Sequence, residues 1–381
     1  MTEQEQALPP TASSFARAAL LVYTLLVVYA SWYPFSGWQM IGLAPWDFLL
    51  APLPHYWTVF DVSTNVFGYM PFGLLIVFAL YPSVRGLWAV AIAFVAGLLL
   101  SSLMEAGQTF LPSRVSSNLD LLPNAGGALF GAIGGMLLSR VFLEQSRLLE
   151  LRKNWFIHDA GAGRGLIVVA LWPLAQIYPQ GYLFGHGQIM PILSDWTSKW
   201  LSRPINFSEM ALSGIQLTVQ EYWLAETIIT ACGFAGAMLA MLCLLRKPAP
   251  KTALILLLAG ITLTSKWLAS ALLFSPQNGM AWLTPGAQGG LLIGAMLVGG
   301  LAFAPPDAQR RLAAFSLAVS VLVANFVPVN PYFVATLQAW LQGKFLNFNG
   351  AAQFLSLVWP FFAIWFLVHP MHRRKRRQRG V

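Results

Sequence analysis

The chain has 381 residues, of which 57% are apolar and only 10% charged, against roughly 45–50% and about 25% in soluble domains. So few charges cannot coat a water-facing surface of this size, which excludes a soluble globular enzyme; the 15 Trp, 26 Phe and long apolar runs exclude disorder. The formal charge is +9, and without the six cations of the C-terminal run it falls to +3.

At the N-terminus, Glu3 and Glu5 give the wrong charge for a secretory leader, and the apolar run that follows reaches Trp32, Tyr33 and Pro34 without a small-residue cleavage site. It is therefore read as a retained span. Stretches of about 20 apolar residues then predict an all-α, multi-pass bundle of about ten transmembrane helices, near 15–33, 62–81, 86–105, 121–142, 165–184, 223–245, 252–274, 287–304, 312–329 and 351–368.

Lys and Arg collect on the cytoplasmic side of short loops. With the N-terminus inside, 18 of the 23 fall on the inner side, among them Arg17, Arg85, Arg140, Arg246, Arg310 and the tail. Only Arg114, Lys199, Arg203 and Lys344 fall outside, and Lys266 lies within a span. Both termini are thus expected in the cytoplasm. The composition changes at a basic, glycine-containing connector, which suggests four parts: a four-helix membrane domain (1–145), the connector (146–164), a six-helix membrane domain (165–369) and a basic tail (370–381).

The tail follows a span directly and has no interleaved aromatics, so it is read as a topology anchor that attracts anionic lipid, and nucleic acid is not expected. None of the five His has zinc-site spacing, so no metal and no cofactor are expected. Cys232 and Cys243 share one helical run, too far apart to bridge.

Polar residues concentrate where the second span begins (Asp61, Asn65), the third ends (Ser101, Glu105, Gln108, Arg114) and the fourth begins (Ser116, Asn118, Asp120, Asn124). Three helix ends thus meet at one level. Pairs three or four apart share a helix face, and ionisable groups at membrane depth mark functional sites unless paired. The ligand-binding candidates are Asn65, Glu105, Gln108, Arg114, Asp120 and Asn124, with Glu105 the candidate catalytic acid or base. The competing structural reading has Asp61 and Asp120 at helix N-termini, a Ser or Asn capping the fourth span, and Arg114 neutralising a carboxylate. Gly127, Gly131 and Gly135 read as close helix packing rather than a phosphate cradle.

The segments Asn65-Val-Phe-Gly-Tyr-Met-Pro-Phe-Gly73, Glu105-Ala-Gly-Gln-Thr-Phe-Leu-Pro-Ser-Arg114 and Ser116-Ser-Asn-Leu-Asp120-Leu-Leu-Pro-Asn124 together resemble the VanZ-like family of membrane proteins, over about residues 23–138. The family's namesake is associated with low-level resistance to teicoplanin, a glycopeptide that binds cell-wall precursors. The resemblance implies a cell-envelope role in the bacterial cytoplasmic (inner) membrane, with membrane lipid and an envelope precursor as partners.

Two further features stand in the second half. Lys266 within the seventh span and Glu226 near the outer end of the sixth lie at similar depth and are expected to form an intramembrane ion pair. Between the fifth and sixth spans, Ile192, Leu193, Trp196 and Trp200 share one helical face while Asp195, Lys199 and Arg203 point elsewhere, as in an interfacial helix on the outer leaflet. A weaker case is 334–342; Asn325 in the ninth span carries no reading of its own. Three functions are compatible with these residues: a non-catalytic protein binding a lipid-linked or peptidoglycan-precursor-like ligand, an intramembrane hydrolase or transferase using Glu105, and a proton-coupled transporter titrating Glu105 and Lys266. The first accounts best for the outward cluster, since no nucleophile with its base, no repeat and no chain of charges is present.

Overall fold

The computed structural model describes residues 14–369 apart from 34, 41, 54–56, 58, 140–150, 152–153, 158–159, 212–216, 275 and 329–345. The basic tail, about half of the connector and the 334–342 segment lie outside the described residues. The chain divides into two compact units, Met1–Lys153 and Asn154–Val381.

The first unit is a bundle of α1 (Ser14–Trp32), α2 (Val59–Leu80), α3 (Gly86–Gln108) and α4 (Leu121–Ser139). Each is long and apolar enough to cross a membrane. The tightest pair is α2 with α4, and glycine is the reason. A Cβ on Gly127 would stand 2.2 Å from the Val66 carbonyl oxygen, one on Gly131 1.8 Å from that of Met70, and one on Gly73 1.9 Å from that of Ala128. The two backbones touch, as small residues permit in membranes, where helices gain little from apolar burial and must gain from close contact. Phe72, Ile76, Ala89, Ala93, Ala128 and Ala132 fill the space among α2, α3 and α4. The first helix is tied on by polar contacts: Tyr23 donates to the Gly68 carbonyl at 2.7 Å, one turn before Pro71 within α2, and Trp32 donates to the Met104 carbonyl at 3.1 Å.

The second unit contains α5 (Ala160–Ala175), α6 (Met190–Leu201), α7 (Phe207–Ala211), α8 (Val219–Leu242), α9 (Lys251–Phe274), α10 (Pro285–Leu301), α11 (Pro306–Phe326) and α12 (Leu346–Val368). Buried along most of its length, α8 is the axis of the unit, with α10 and α11 packed on it. Its Gly233 and Gly236 lie against Phe184 and Leu317, and Gly290 of α10 against Thr230. On the other side α5 packs on α8, α9 and α12, around Trp172 and Trp359.

Each of the ten expected spans contains a helix, and seven meet the length and hydropathy of a membrane span among the described residues. The protein is therefore an all-α, multi-pass membrane protein. The other three depart for local reasons. The expected 165–184 span ends at Ala175, because Pro179 disfavours a helical Tyr178 and the chain turns into the core, where Tyr182, Leu183 and Phe184 are buried. In α10 the apolar helix is 17 residues long. In α11 the helix starts early, at Pro306, and takes in Asp307, Arg310 and Arg311, with Arg310 paired to Asp307 at 3.4 Å.

The expected amphipathic helix is α6. Trp196 and Trp200 are exposed on it, and Lys199 is paired with Asp195 at 2.7 Å. Asn325 is a clamp: its Oδ1 accepts from the Ile189 and Met190 N–H groups that begin α6, and its Nδ2 donates to the Gly187 carbonyl at 2.8 Å. No sequence signal pointed to this role.

Candidate functional site

Because the helices of the first unit alternate in direction, the start of α2, the end of α3 and the start of α4 lie at one end. There the Asn65 amide donates to Asp120 Oδ1 at 2.8 Å, joining α2 to the 3-10 turn Asn118–Asp120 that leads into α4. Ser117 caps this turn through its side chain, which accepts from the Leu119 N–H at 3.1 Å. The Ser117 N–H in turn donates to Glu105 Oε2 at 2.8 Å. One turn from each carboxylate, Asn124 donates to Ser101 Oγ at 2.9 Å, and its Oδ1 is buried with no partner. Glu105 is 3% exposed, and Asp120 is close enough for its charge to act on it. Tyr69 lies within the electrostatic reach of both.

Asn65, Glu105, Asp120 and Asn124 thus come together as the sequence spacing predicted. The other two candidates face elsewhere. Gln108 donates to the Ser31 carbonyl at 3.2 Å, and Arg114 donates through Nε to the Tyr33 carbonyl at 2.8 Å and again through its terminal nitrogen. Both hold the end of α1. Burial pulls the Arg114 pKa below its ordinary value. Neither Glu105 nor Asp120 is joined to Arg114 by an ion pair among the described residues, so the expected neutralisation of a carboxylate by Arg114 is not what the fold uses. A main-chain carbonyl takes that cation instead. Asp61, at the start of α2, is exposed and adds its charge next to Asp120.

The polarity of the cluster follows from this inventory. Asn65 and Asn124 each engage one amide hydrogen and Glu105 and Asp120 one oxygen each, while the Asn124 Oδ1 is buried without a partner. The cluster offers acceptors.

The residues that make these contacts occur in an order shared with known proteins: residues 18–139 match the model of the VanZ/LLP1 family. The first unit carries a VanZ/LLP1 domain. The match runs from α1 to the end of α4 and so encloses the whole polar cluster. Comparison with curated proteins and with solved structures gave no match for the chain.

In the second unit, Glu226 on α8 and Lys266 on α9 are both buried. The expected ion pair between them is absent among the described residues: Glu226 Oε2 has no hydrogen-bond partner, and α8 and α9 barely touch. Glu226 instead lies at the N-terminus of α10, where a Cβ on Gly286 would come within 2.6 Å of Oε2. A carboxylate is favoured there by the helix dipole. Sequence reading also passed over a buried group around His186, formed by Gln176, Gln180 and Ser356. Only the polarity of those residues in an apolar stretch could have signalled it.

Proposed function

We propose that the VanZ/LLP1 domain binds an envelope-related ligand, lipid-linked or peptidoglycan-precursor-like, at the cluster of Glu105, Asp120, Asn65 and Asn124. One observation carries this reading: two carboxylates meet at one end of a membrane bundle, and among the described residues no cation is paired with either. Such groups are costly in an apolar setting unless donors reach them. A ligand rich in hydroxyl, amide N–H or ammonium groups supplies those donors, and sugar–peptide head groups have them. Arg114 and Gln108 act by fixing the end of α1 beside the site. The protein belongs in the bacterial cytoplasmic membrane, with about ten helices in the bilayer region, both termini cytoplasmic and the cluster facing outward. A role in teicoplanin-type resistance would follow from holding or altering the precursor that the drug binds.

Native mass spectrometry of the purified protein tests the reading. A discrete bound species is expected in the wild type and is lost in Glu105→Gln and Asp120→Asn. If all three carry only bulk phospholipid, the cluster is a structural network and the ligand reading fails.

A further inference from the structure

The connection from α1 to α2 belongs to the first unit but contributes no side chain to the polar cluster. Between Phe35 and Trp57 its sequence holds one charged residue, Asp47, and three tryptophans, Trp38, Trp46 and Trp57. The one charge is used locally: Asp47 Oδ2 accepts from the Ala44 N–H at 2.7 Å, at the start of the 3-10 helix Asp47–Leu50. Phe48 is buried and anchors that helix, whereas Trp38, Met40, Trp46, Leu50, Leu53 and Trp57 are exposed, Leu50 at 93% and Met40 at 88%.

Hydrogen bonds hold the connection against the end of the bundle that carries the cluster. The Gln39 N–H donates to the Phe110 carbonyl at 3.0 Å, just beyond α3. The Asn118 amide donates to the Ala51 carbonyl at 2.6 Å, and Asn118 opens the 3-10 turn that contains Asp120. Leu50 is thus next to the bonded carbonyl, and Asp120 is two residues from the bonded amide. An apolar rim stands beside the cluster.

An exposed apolar patch of this kind marks contact with a membrane or with a protein, and two features favour the membrane. The connection leaves α1 and returns to α2, both long and apolar enough to span, so its two ends stand at the membrane surface. Apart from Asp47, whose carboxylate is already bonded, it offers indoles and aliphatic chains without charge. Amphipathic rings settle at the level of lipid head groups, and a backbone this irregular fits there but not in the hydrocarbon. We propose that the α1–α2 connection is seated in the head-group layer of the bilayer, and that the cluster beside it takes a lipid-borne head group in preference to a water-soluble molecule; the second half rests on the ligand reading of the cluster. Half-buried Asp120 then stands at head-group level, behind a rim that lipid covers. A soluble ligand would have to displace that lipid. An amphiphile brings its donors to Asp120 and Glu105 while its chain stays in the bilayer, against Leu50 and Leu53.

The seating is tested on the full chain with Cys232 and Cys243 replaced by alanine, in vesicles of phosphatidylcholine and phosphatidylglycerol. A fluorophore is attached at Leu50→Cys and, separately, at Leu53→Cys. Phosphatidylcholine with a nitroxide near the head of its acyl chain is expected to quench it more than lipid with the nitroxide near the chain end, and more than iodide in the water. Strongest quenching by iodide or from the chain end, or protection from all three, as when a second copy covers the rim, overturns the proposal. The ligand half is read by native mass spectrometry and by extraction of the purified protein with chloroform and methanol. The discrete species of the wild type, lost in Glu105→Gln and in Asp120→Asn, is expected in the organic phase. A species found in the aqueous phase overturns the lipid-borne ligand while the ligand reading of the cluster stands. No discrete species, or one that persists in both variants, overturns the two together.

Discussion

Arg114 and Glu105 sit close together in the sequence with opposite charges, yet the guanidinium goes to the Tyr33 carbonyl and the carboxylate to the Ser117 N–H. Charge pattern alone cannot choose between a carboxylate and a carbonyl as partner, because which of them is within reach depends on how α1 docks. The same limit applies to Lys266 and Glu226, matched in depth but carried on helices that hardly meet. His186 shows what burial does to a single group. Loss of hydration, with the Lys266 ammonium adding to it, pulls its pKa from an ordinary 6.5 down to about 3. The folded state thus binds this proton less readily than the unfolded state does. Its contribution to stability is complete above pH 6.5 and is lost as the pH falls toward 3, by up to about 1.4 kcal/mol per pH unit. In detergent, the unfolding midpoint of the wild type is expected to fall relative to that of His186→Asn between pH 6.5 and 5; a constant difference between the two proteins would contradict it.

At the scale of elements, the contact of α2 with α4 depends on the absence of side chains at a few positions. Gly131 has no room for a Cβ because the Met70 carbonyl occupies the place, whereas Gly134, on the same helix, faces open space. Gly131→Leu is expected to separate the pair and cost about 3 kcal/mol or more, dispersing the polar cluster at its end. Gly134→Ala is expected to be neutral or to stabilise by roughly 0.5–1 kcal/mol, through helix propensity. Denaturant unfolding of both variants in micelles checks the contrast; similar behaviour of the two would refute close packing at Gly131. The glycine series was legible in the sequence as a packing face, but which of its members touch a neighbour was not, since that depends on the rotation of α4 against α2. Likewise the apolar run after Gly165 announced a helix, while its end at Ala175 was decided by Pro179 and by buried partners for Gln176 and Gln180.

For the whole molecule, the cation distribution predicts both termini in the cytoplasm, and this is testable without any ligand. In a chain lacking Cys232 and Cys243, a cysteine at Ser113, between α3 and α4, is expected to react with an impermeant maleimide in intact cells. One at Lys247, between α8 and α9, is expected to react only after permeabilisation. The opposite pattern would invert the topology and turn the VanZ/LLP1 cluster inward. By itself the sequence determined that the protein is an all-α, multi-pass membrane protein and which helix ends carry Asn65, Glu105, Asp120 and Asn124, because hydropathy and helical period are properties of a single segment. The tertiary structure alone decided which carboxylates go without a cation among the described residues, that Asn325 clamps the start of α6 and that Gln176, Gln180 and Ser356 gather around His186. Those outcomes depend on the rotation and docking of helices distant in the chain, where the partner of a polar group is whichever donor or acceptor the packing brings within about 3 Å.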